Sequence, residues 1–102
     1  MNPLIADKAE DLARLCRHHG VTRLELVGSA ARGGFGPASS DLDFLVEFSD
    51  LGSAAYANAY FGLLEGLETL FGRRVDLIMI RAIRNPYFLR SIEKDRTLLY
   101  TA

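Results

Sequence analysis

The strongest constraint on the fold is an alternation of helix-like and strand-like periodicity along the 102-residue chain. Apolar residues that recur every three or four positions predict amphipathic or buried helices, whereas strict alternation and β-branched runs predict strands. Helices are predicted for Pro3–His19, Leu51–Phe71 and a shorter segment from Asn85 to about Lys94, and strands for Thr22–Val27, Asp41–Phe48, Val75–Ile80 and Thr97–Tyr100. One or two helical turns are also expected over 28–33. This order predicts an α/β fold in which helices cover a small sheet.

Composition limits the class of protein. With 102 residues, 49% of them hydrophobic, and a net charge of −1, we expect one soluble domain over 1–102. The near-zero charge gives no reason to expect a membrane surface or nucleic acid as the main partner. The single cysteine excludes an internal disulfide, and Cys16 stands among apolar residues, as a small core side chain would. The first residues lack a signal-peptide pattern, so a cytoplasmic location is predicted.

The balanced net charge conceals a gradient along the chain. Between Gly33 and Gly72 there are six acidic residues and no lysine or arginine, whereas five of the seven charged residues after Leu77 are basic. Such a pattern fits a solvated surface, and it equally fits a cation site beside an anion-binding rim.

Two of the acids lie close together on a predicted strand. Asp41 and Asp43 are two residues apart, so their side chains point to the same face, roughly 6.6 Å apart along the strand. Two like charges on one face repel each other, and a bound Mg²⁺ removes the conflict because it prefers carboxylate oxygens. A solvent-facing edge with two harmless acids is the alternative.

A third acid interrupts the most apolar predicted strand. Asp76 is the one charged residue in the run Val75–Ile80, and an unpaired charge there would be costly if it were buried. It pairs with Arg73 or Arg74, or it joins Asp41 and Asp43 at a shared metal site. Three carboxylates on neighbouring strands would suit two-metal phosphoryl-transfer chemistry.

The first predicted strand ends in Gly28-Ser29, at the start of the short helical segment. Backbone N–H groups and a hydroxyl at such a junction can bind phosphate oxygens, although the dipeptide alone is a weak signal. Arg32, one turn further on, is a candidate contact for a triphosphate. Ser40 is a candidate cap or hydrogen-bond donor to the neighbouring acids.

These segments together resemble the active-site signature of minimal nucleotidyltransferase (MNT) domains, in the DNA polymerase beta nucleotidyltransferase superfamily. The signature is carried by Val27-Gly28-Ser29-Ala30-Ala31-Arg32-Gly33 and Ser40-Asp41-Leu42-Asp43-Phe44-Leu45-Val46, and the likeness continues through Gly72-Arg73-Arg74-Val75-Asp76-Leu77 and Ala82-Ile83-Arg84-Asn85-Pro86-Tyr87. The loop between Ser29 and Asp41 is one residue longer than in the common form, so we expect it to bulge. The resemblance implies a small mixed sheet of about four strands with the polymerase-beta-like fold.

The resemblance also implies an activity and a partner. Asp41, Asp43 and Asp76 would be the catalytic, metal-binding residues, with two Mg²⁺ ions, and Asp76 could instead serve as the base. Gly28, Ser29, Arg32 and Ser40 would form the site for the NTP, usually ATP. Many MNT proteins resemble antitoxins that are paired with a HEPN-domain toxin and adenylylate one of its tyrosines. Since larger relatives carry extra domains for their acceptors, we expect the acceptor of this short chain to arrive on a partner.

Three hypotheses of function remain open at this stage. The first is an active nucleotidyltransferase that acts as an antitoxin enzyme, and it is favoured because a purely masking protein would not need three acids. The second is a module of the same fold that neutralises its partner by binding alone. The third is a plain interaction domain with surface acids. An apolar face with Tyr56, Tyr60 and Phe61 is expected to pack internally or to form a contact surface, including one between copies of the chain.

Overall fold

The computed structural model describes residues 3–28, 41–50, 52–80, 85–87, 90 and 96–102. These residues form three helices and four strands: α1 (Pro3–Ala6), α2 (Ala9–His18), β1 (Val21–Val27), β2 (Leu42–Phe48), α3 (Ser53–Phe71), β3 (Val75–Met79) and β4 (Arg96–Thr101). The predicted strands are therefore all present, each within two residues of its expected bounds. Except for Gly28, the predicted turns over 28–33 lie outside the described residues, as does most of the helix after Asn85.

The N-terminal helix is one element in the prediction and two in the structure. A turn at 7–8 separates α1 from α2, and the amide of Lys8 donates to the carbonyl of Ile5 at 3.0 Å. The apolar positions Ile5, Leu12 and Cys16 are nevertheless all buried in the same cluster. The periodicity thus identified the buried face correctly and missed the break.

Glycines end the two longer helices. Gly20, just beyond the C-cap of α2, has φ +71°, and Gly72, the C-cap of α3, has φ +63°. Both values lie in the left-handed region that favours glycine.

The four described strands form one mixed sheet in the order β3-β2-β1-β4. β1 is antiparallel to both β2 and β4, whereas β2 and β3 are parallel and are connected through α3. The edge positions therefore belong to β3 and β4. The predicted small mixed sheet of about four strands is confirmed.

The main core lies between the helices and one face of the sheet. Alternate residues of β2 (Leu42, Phe44, Val46 and Phe48) point into it, and Leu63 and Leu67 of α3 are fully buried against them. Phe44 and Phe71 pack with ring centroids 5.8 Å apart. Tyr56 and Tyr60 pack against this core, which is one of the two expectations for this face. Phe61 is 64% exposed and does not pack internally, and its place on a contact surface stays a prediction.

The opposite face of the sheet is only partly apolar. Val27 and Leu45 are buried there, with Ile78 and Ile80 packed against them. Leu45 on this second face is as well buried as the core residues, so β2 buries apolar side chains on both of its faces. In the part of the chain that the structure describes, no helix is both long and apolar enough to cross a membrane.

Candidate functional site

The three aspartates selected from the sequence come together at one end of the sheet. Asp43 of β2 lies directly opposite Asp76 of β3 in the parallel register, and opposite Val27 of β1 on its other side. Because neighbouring strands are about 4.8 Å apart and paired residues share a face, Asp43 and Asp76 are adjacent on the face away from the main core. Asp41 immediately precedes β2 and lies two residues from Asp43.

The electrostatics of the site centre on Asp43. Burial raises the pKa of its carboxyl group, and the negative charges of Asp76 and then Asp41 raise it further. Asp41 and Asp76 are exposed, so Asp43 is the acid least accessible to water. The apolar pair Val27 and Leu45 on the same face accounts for part of this desolvation.

Asp76 is exposed, although the sequence places it in an apolar strand, where an unpaired charge would be costly if it were buried. Asp76 lies at the second position of an edge strand and is exposed, so no burial cost requires a partner for it. The reason to consider Asp76 part of the candidate site is therefore its position opposite Asp43 in the strand register.

Gly28 comes close to the acids from the end of the neighbouring strand β1. It follows β1 directly with φ +75°, and a Cβ atom added to it would lie 2.8 Å from Oδ2 of Asp43. Real Cβ atoms essentially never come so close to another heavy atom. Both the backbone angle and the neighbouring carboxylate oxygen therefore favour glycine here, which gives a physical reason for the glycine in the Gly28-Ser29 motif.

The other predicted nucleotide contacts, Ser29, Arg32 and Ser40, lie outside the described residues. Their roles remain predictions.

The donor set around Asp43 suits a divalent cation, although its geometry is incomplete. Asp43 and its two acidic neighbours supply the hard oxygen ligands that Mg²⁺ prefers, and their mutual repulsion would be relieved by a cation. Within the ranges described above, however, no group of three or more His, Cys, Asp or Glu side chains is arranged to hold a metal ion. Since Mg²⁺ is usually bound by one or two carboxylates together with substrate phosphates, the set fits an ion that arrives with its nucleotide.

Helix α3 contacts β3 on both sides of Asp76. The hydroxyl of Tyr60 donates to the carbonyl of Leu77 at 2.6 Å, and Oε2 of Glu68 accepts from the amide of Val75 at 3.1 Å. Burial, followed by the charge of Asp76, raises the pKa of Tyr60, so its hydroxyl stays protonated and remains a donor.

Sequence reasoning missed a buried charge in β1. Glu25 is 3% exposed and accepts from Nε of Arg23 at 2.8 Å and from Nε of Arg96 at 2.6 Å. Arg96 pairs with Val27, which pairs with Asp43, so this ion pair joins β4 to β1 at the level of the acids. A lone glutamate inside the apolar strand Val21–Val27 was the signal that could have revealed it.

Cys16 and His19 have structural roles. Cys16 is buried, and this burial raises the pKa of its thiol to about 12, as expected of a core side chain rather than a nucleophile. His19 packs over Gly62 of α3 at the edge of a groove of about 450 Å³ between α2 and α3. This groove contains none of the three aspartates, because it lies on the helical side of the sheet.

Comparison with known proteins places this fold in a family. The family model described as the nucleotidyltransferase domain matches residues 10–99, and the chain therefore belongs to that family. The resemblance inferred from the sequence is confirmed at this level.

Individual relatives agree with the family. A candidate protein adenylyltransferase of Methanocaldococcus jannaschii is 41% identical over 75 residues, which cover 74% of this chain and 73% of the relative. The solved structure of a candidate minimal nucleotidyltransferase matches with a TM-score of 0.74 and 30% identity, over 94% of both chains. The predicted polymerase-beta-like nucleotidyltransferase fold is thus confirmed.

A more distant structure shares the fold. In the complex of a tri-AMPylated HEPN toxin of Shewanella oneidensis with an MNT antitoxin, the matched chain gives a TM-score of 0.62 at 18% identity. The match covers 96% of this chain and 73% of that one.

Proposed function

We propose that this chain transfers AMP from ATP, in a Mg²⁺-dependent reaction, to a hydroxyl group on a HEPN-domain partner, and thereby acts as an antitoxin. The observation that carries the proposal is the register of Asp43 with Asp76 beside the close approach of Gly28. Family membership supports the transfer chemistry, and the relative named for protein adenylylation supports a protein acceptor. The complex of an AMPylated HEPN toxin with an MNT antitoxin suggests the kind of partner.

The proposed chemistry assigns roles to these residues. The acceptor oxygen bonds to the α-phosphorus of ATP, the bond from that phosphorus to the bridging oxygen breaks, and pyrophosphate leaves with the electron pair. Asp41 and Asp43 would hold Mg²⁺, which when bound neutralises the phosphate charge and lowers the pKa of the attacking hydroxyl. Asp76 completes that site or takes the hydroxyl proton, a task that its exposure allows. The Gly28 backbone lets the triphosphate approach closely, and Ser29, Arg32 and Ser40 are the proposed phosphate contacts.

One observation favours a second candidate function. Because the three acids do not form a ready metal-binding cluster within the described ranges, a module that neutralises its partner by binding alone is the alternative. Such a module would need the fold and the contact surface but no bound nucleotide.

An experiment with labelled ATP distinguishes the two candidate functions. The protein is incubated with Mg²⁺, ATP labelled on its α-phosphate, and a HEPN-domain protein from the same genome. The enzyme proposal predicts label on the HEPN protein, lost with EDTA and in Asp43→Asn. A stable complex that never becomes labelled would overturn the enzyme proposal and favour masking.

A further inference from the structure

Asp76 lies on β3, an edge strand of the sheet, where some backbone groups have no strand partner. β3 pairs with β2 on one side only, so the backbone groups along its other side lack a strand partner in the described sheet. Successive residues of a strand direct their backbone groups to opposite sides, and the carbonyl of Arg74 already accepts from the amide of Leu42 in β2. The backbone groups of Asp76 therefore face β2, whereas those of Val75 and Leu77 face the free edge.

Two side chains of α3 each satisfy one of these edge groups. Glu68 accepts from the Val75 amide, and Tyr60 donates to the Leu77 carbonyl, so the residues on both sides of Asp76 are hydrogen-bonded to the same helix. Tyr60 and Glu68 lie eight residues apart, about 12 Å along the helix, and they meet β3 in antiparallel order. Leu63 and Leu67, between them along α3, are fully buried in the core, which makes the helix a rigid support.

We propose that Tyr60 and Glu68 are positioning residues that fix the edge strand on both sides of Asp76 and so hold its carboxylate opposite that of Asp43. The inference rests on the proposed nucleotidyl transfer for its catalytic consequence. Without the two hydrogen bonds, β3 keeps its pairing with β2, but the second residue of a five-residue edge strand loses its outer support. A displacement of about 1 Å at a reacting centre can cost a hundredfold in rate.

The test uses substitutions that remove one hydrogen bond each. Tyr60→Phe deletes only the donor, and Glu68→Ala deletes the acceptor, whereas Glu68→Gln keeps an acceptor oxygen and should restore the behaviour. Tyr100→Phe is the matched control, because Tyr100 packs against the same core from β4 at the opposite edge.

The expected result is a fall in kcat for AMP transfer of about tenfold to a hundredfold in Tyr60→Phe and Glu68→Ala, with KM for ATP within about twofold. Glu68→Gln and Tyr100→Phe should stay close to wild type. If kcat per folded molecule is unchanged while the melting temperature falls, the contacts serve stability alone and the proposal is wrong.

A second measurement does not depend on activity. NMR at one fixed pH follows the side-chain carboxyl resonance of Asp76 and the exchange rate of the Val75 amide. We expect the Asp76 resonance to move in both Tyr60→Phe and Glu68→Ala, and the Val75 amide to exchange faster in Glu68→Ala. An unmoved Asp76 resonance in both variants overturns the positioning role, whereas absence of AMP transfer by the wild type would overturn the proposed function alone.

Discussion

Gly28 and Asp43 are so close that a Cβ atom on Gly28 would lie 2.8 Å from Oδ2 of Asp43. The end of β1 therefore lies directly against the most desolvated acid of the site. This contact brings Gly28, the first residue of the proposed phosphate-binding motif, next to the carboxylates that are proposed to hold Mg²⁺, and it is open to direct test.

Gly28→Ala should reduce both stability and activity. Its positive φ costs a residue with a Cβ about 1–2 kcal/mol, and the added atom must displace the Asp43 carboxylate as well. Chemical denaturation and AMP transfer measure the two effects.

Gly72→Ala is the matched control for this substitution. Gly72 also has a positive φ, +63°, but a Cβ there would meet nothing within 4 Å. It should lose a similar amount of stability and keep its activity per folded molecule. Equal activity losses in the two variants would show that the contact between Gly28 and Asp43 has no functional importance.

Asp43→Asn should stabilise the metal-free protein at neutral pH. Burial and the charges of Asp76 and Asp41 raise the pKa of Asp43 in the folded state. A raised folded-state pKa means that stability is lost as the pH rises from the unfolded-state value, about 3.9, through the folded-state value. Asp43→Asn cannot ionise at this position and does not lose this stability, so its melting temperature should exceed that of the wild type at pH 7. The difference should vanish below about pH 4.

Glu47→Gln controls for the general removal of an acid, since Glu47 is exposed on the same strand. It should show no comparable pH-dependent gain. An Asp43→Asn protein that is less stable than wild type at pH 7 without metal would contradict the electrostatic description of the site.

Loss of the buried carboxylate in β1 should weaken the sheet. Glu25 accepts from Arg23 and Arg96, so Glu25→Ala removes the ion pair that joins β4 to β1. We expect a loss of about 2–4 kcal/mol in the free energy of unfolding, measured with denaturant.

The surface pair of Arg14 with Asp11 provides the comparison. Both side chains are more than half exposed, so Arg14→Ala should change the unfolding free energy by less than about 1 kcal/mol. If the two variants lose equal stability, the buried position of Glu25 has no special importance.

Cys16 should resist thiol reagents in the native protein. Its burial raises the thiol pKa to about 12, so almost no thiolate is present at neutral pH. Alkylation followed by mass spectrometry should show reaction only after unfolding in denaturant. Rapid labelling of the folded protein would contradict the core position of Cys16.

The sequence predicted the elements well because their signals are local. Leu42, Phe44 and Val46 alternate along β2, and Gly72 marks the end of α3. The break between α1 and α2 was missed because the apolar periodicity continues across it. The alternation along β2 gives Leu45 the same face as Asp43, yet its burial depends on Val27 from another strand.

The candidate acids could be selected from the sequence, but their arrangement could not be derived from it. The three aspartates stand out because acids are rare in apolar strands. Their register is set by the pairing of β2 with β3, two segments that α3 separates, and no local pattern encodes it. The same holds for Tyr60, which the sequence identified as a packing residue, since its hydrogen bond to Leu77 follows from the placement of α3.

The most direct test of the central claim is calorimetric binding of ATP with and without Mg²⁺. If Asp41, Asp43 and Asp76 hold the ion that brings the nucleotide, the wild type binds ATP only when Mg²⁺ is present, and Asp43→Asn loses this binding while remaining folded. Equal ATP binding by the wild type and Asp43→Asn, or binding that does not depend on Mg²⁺, would contradict the assignment of these acids as the metal site.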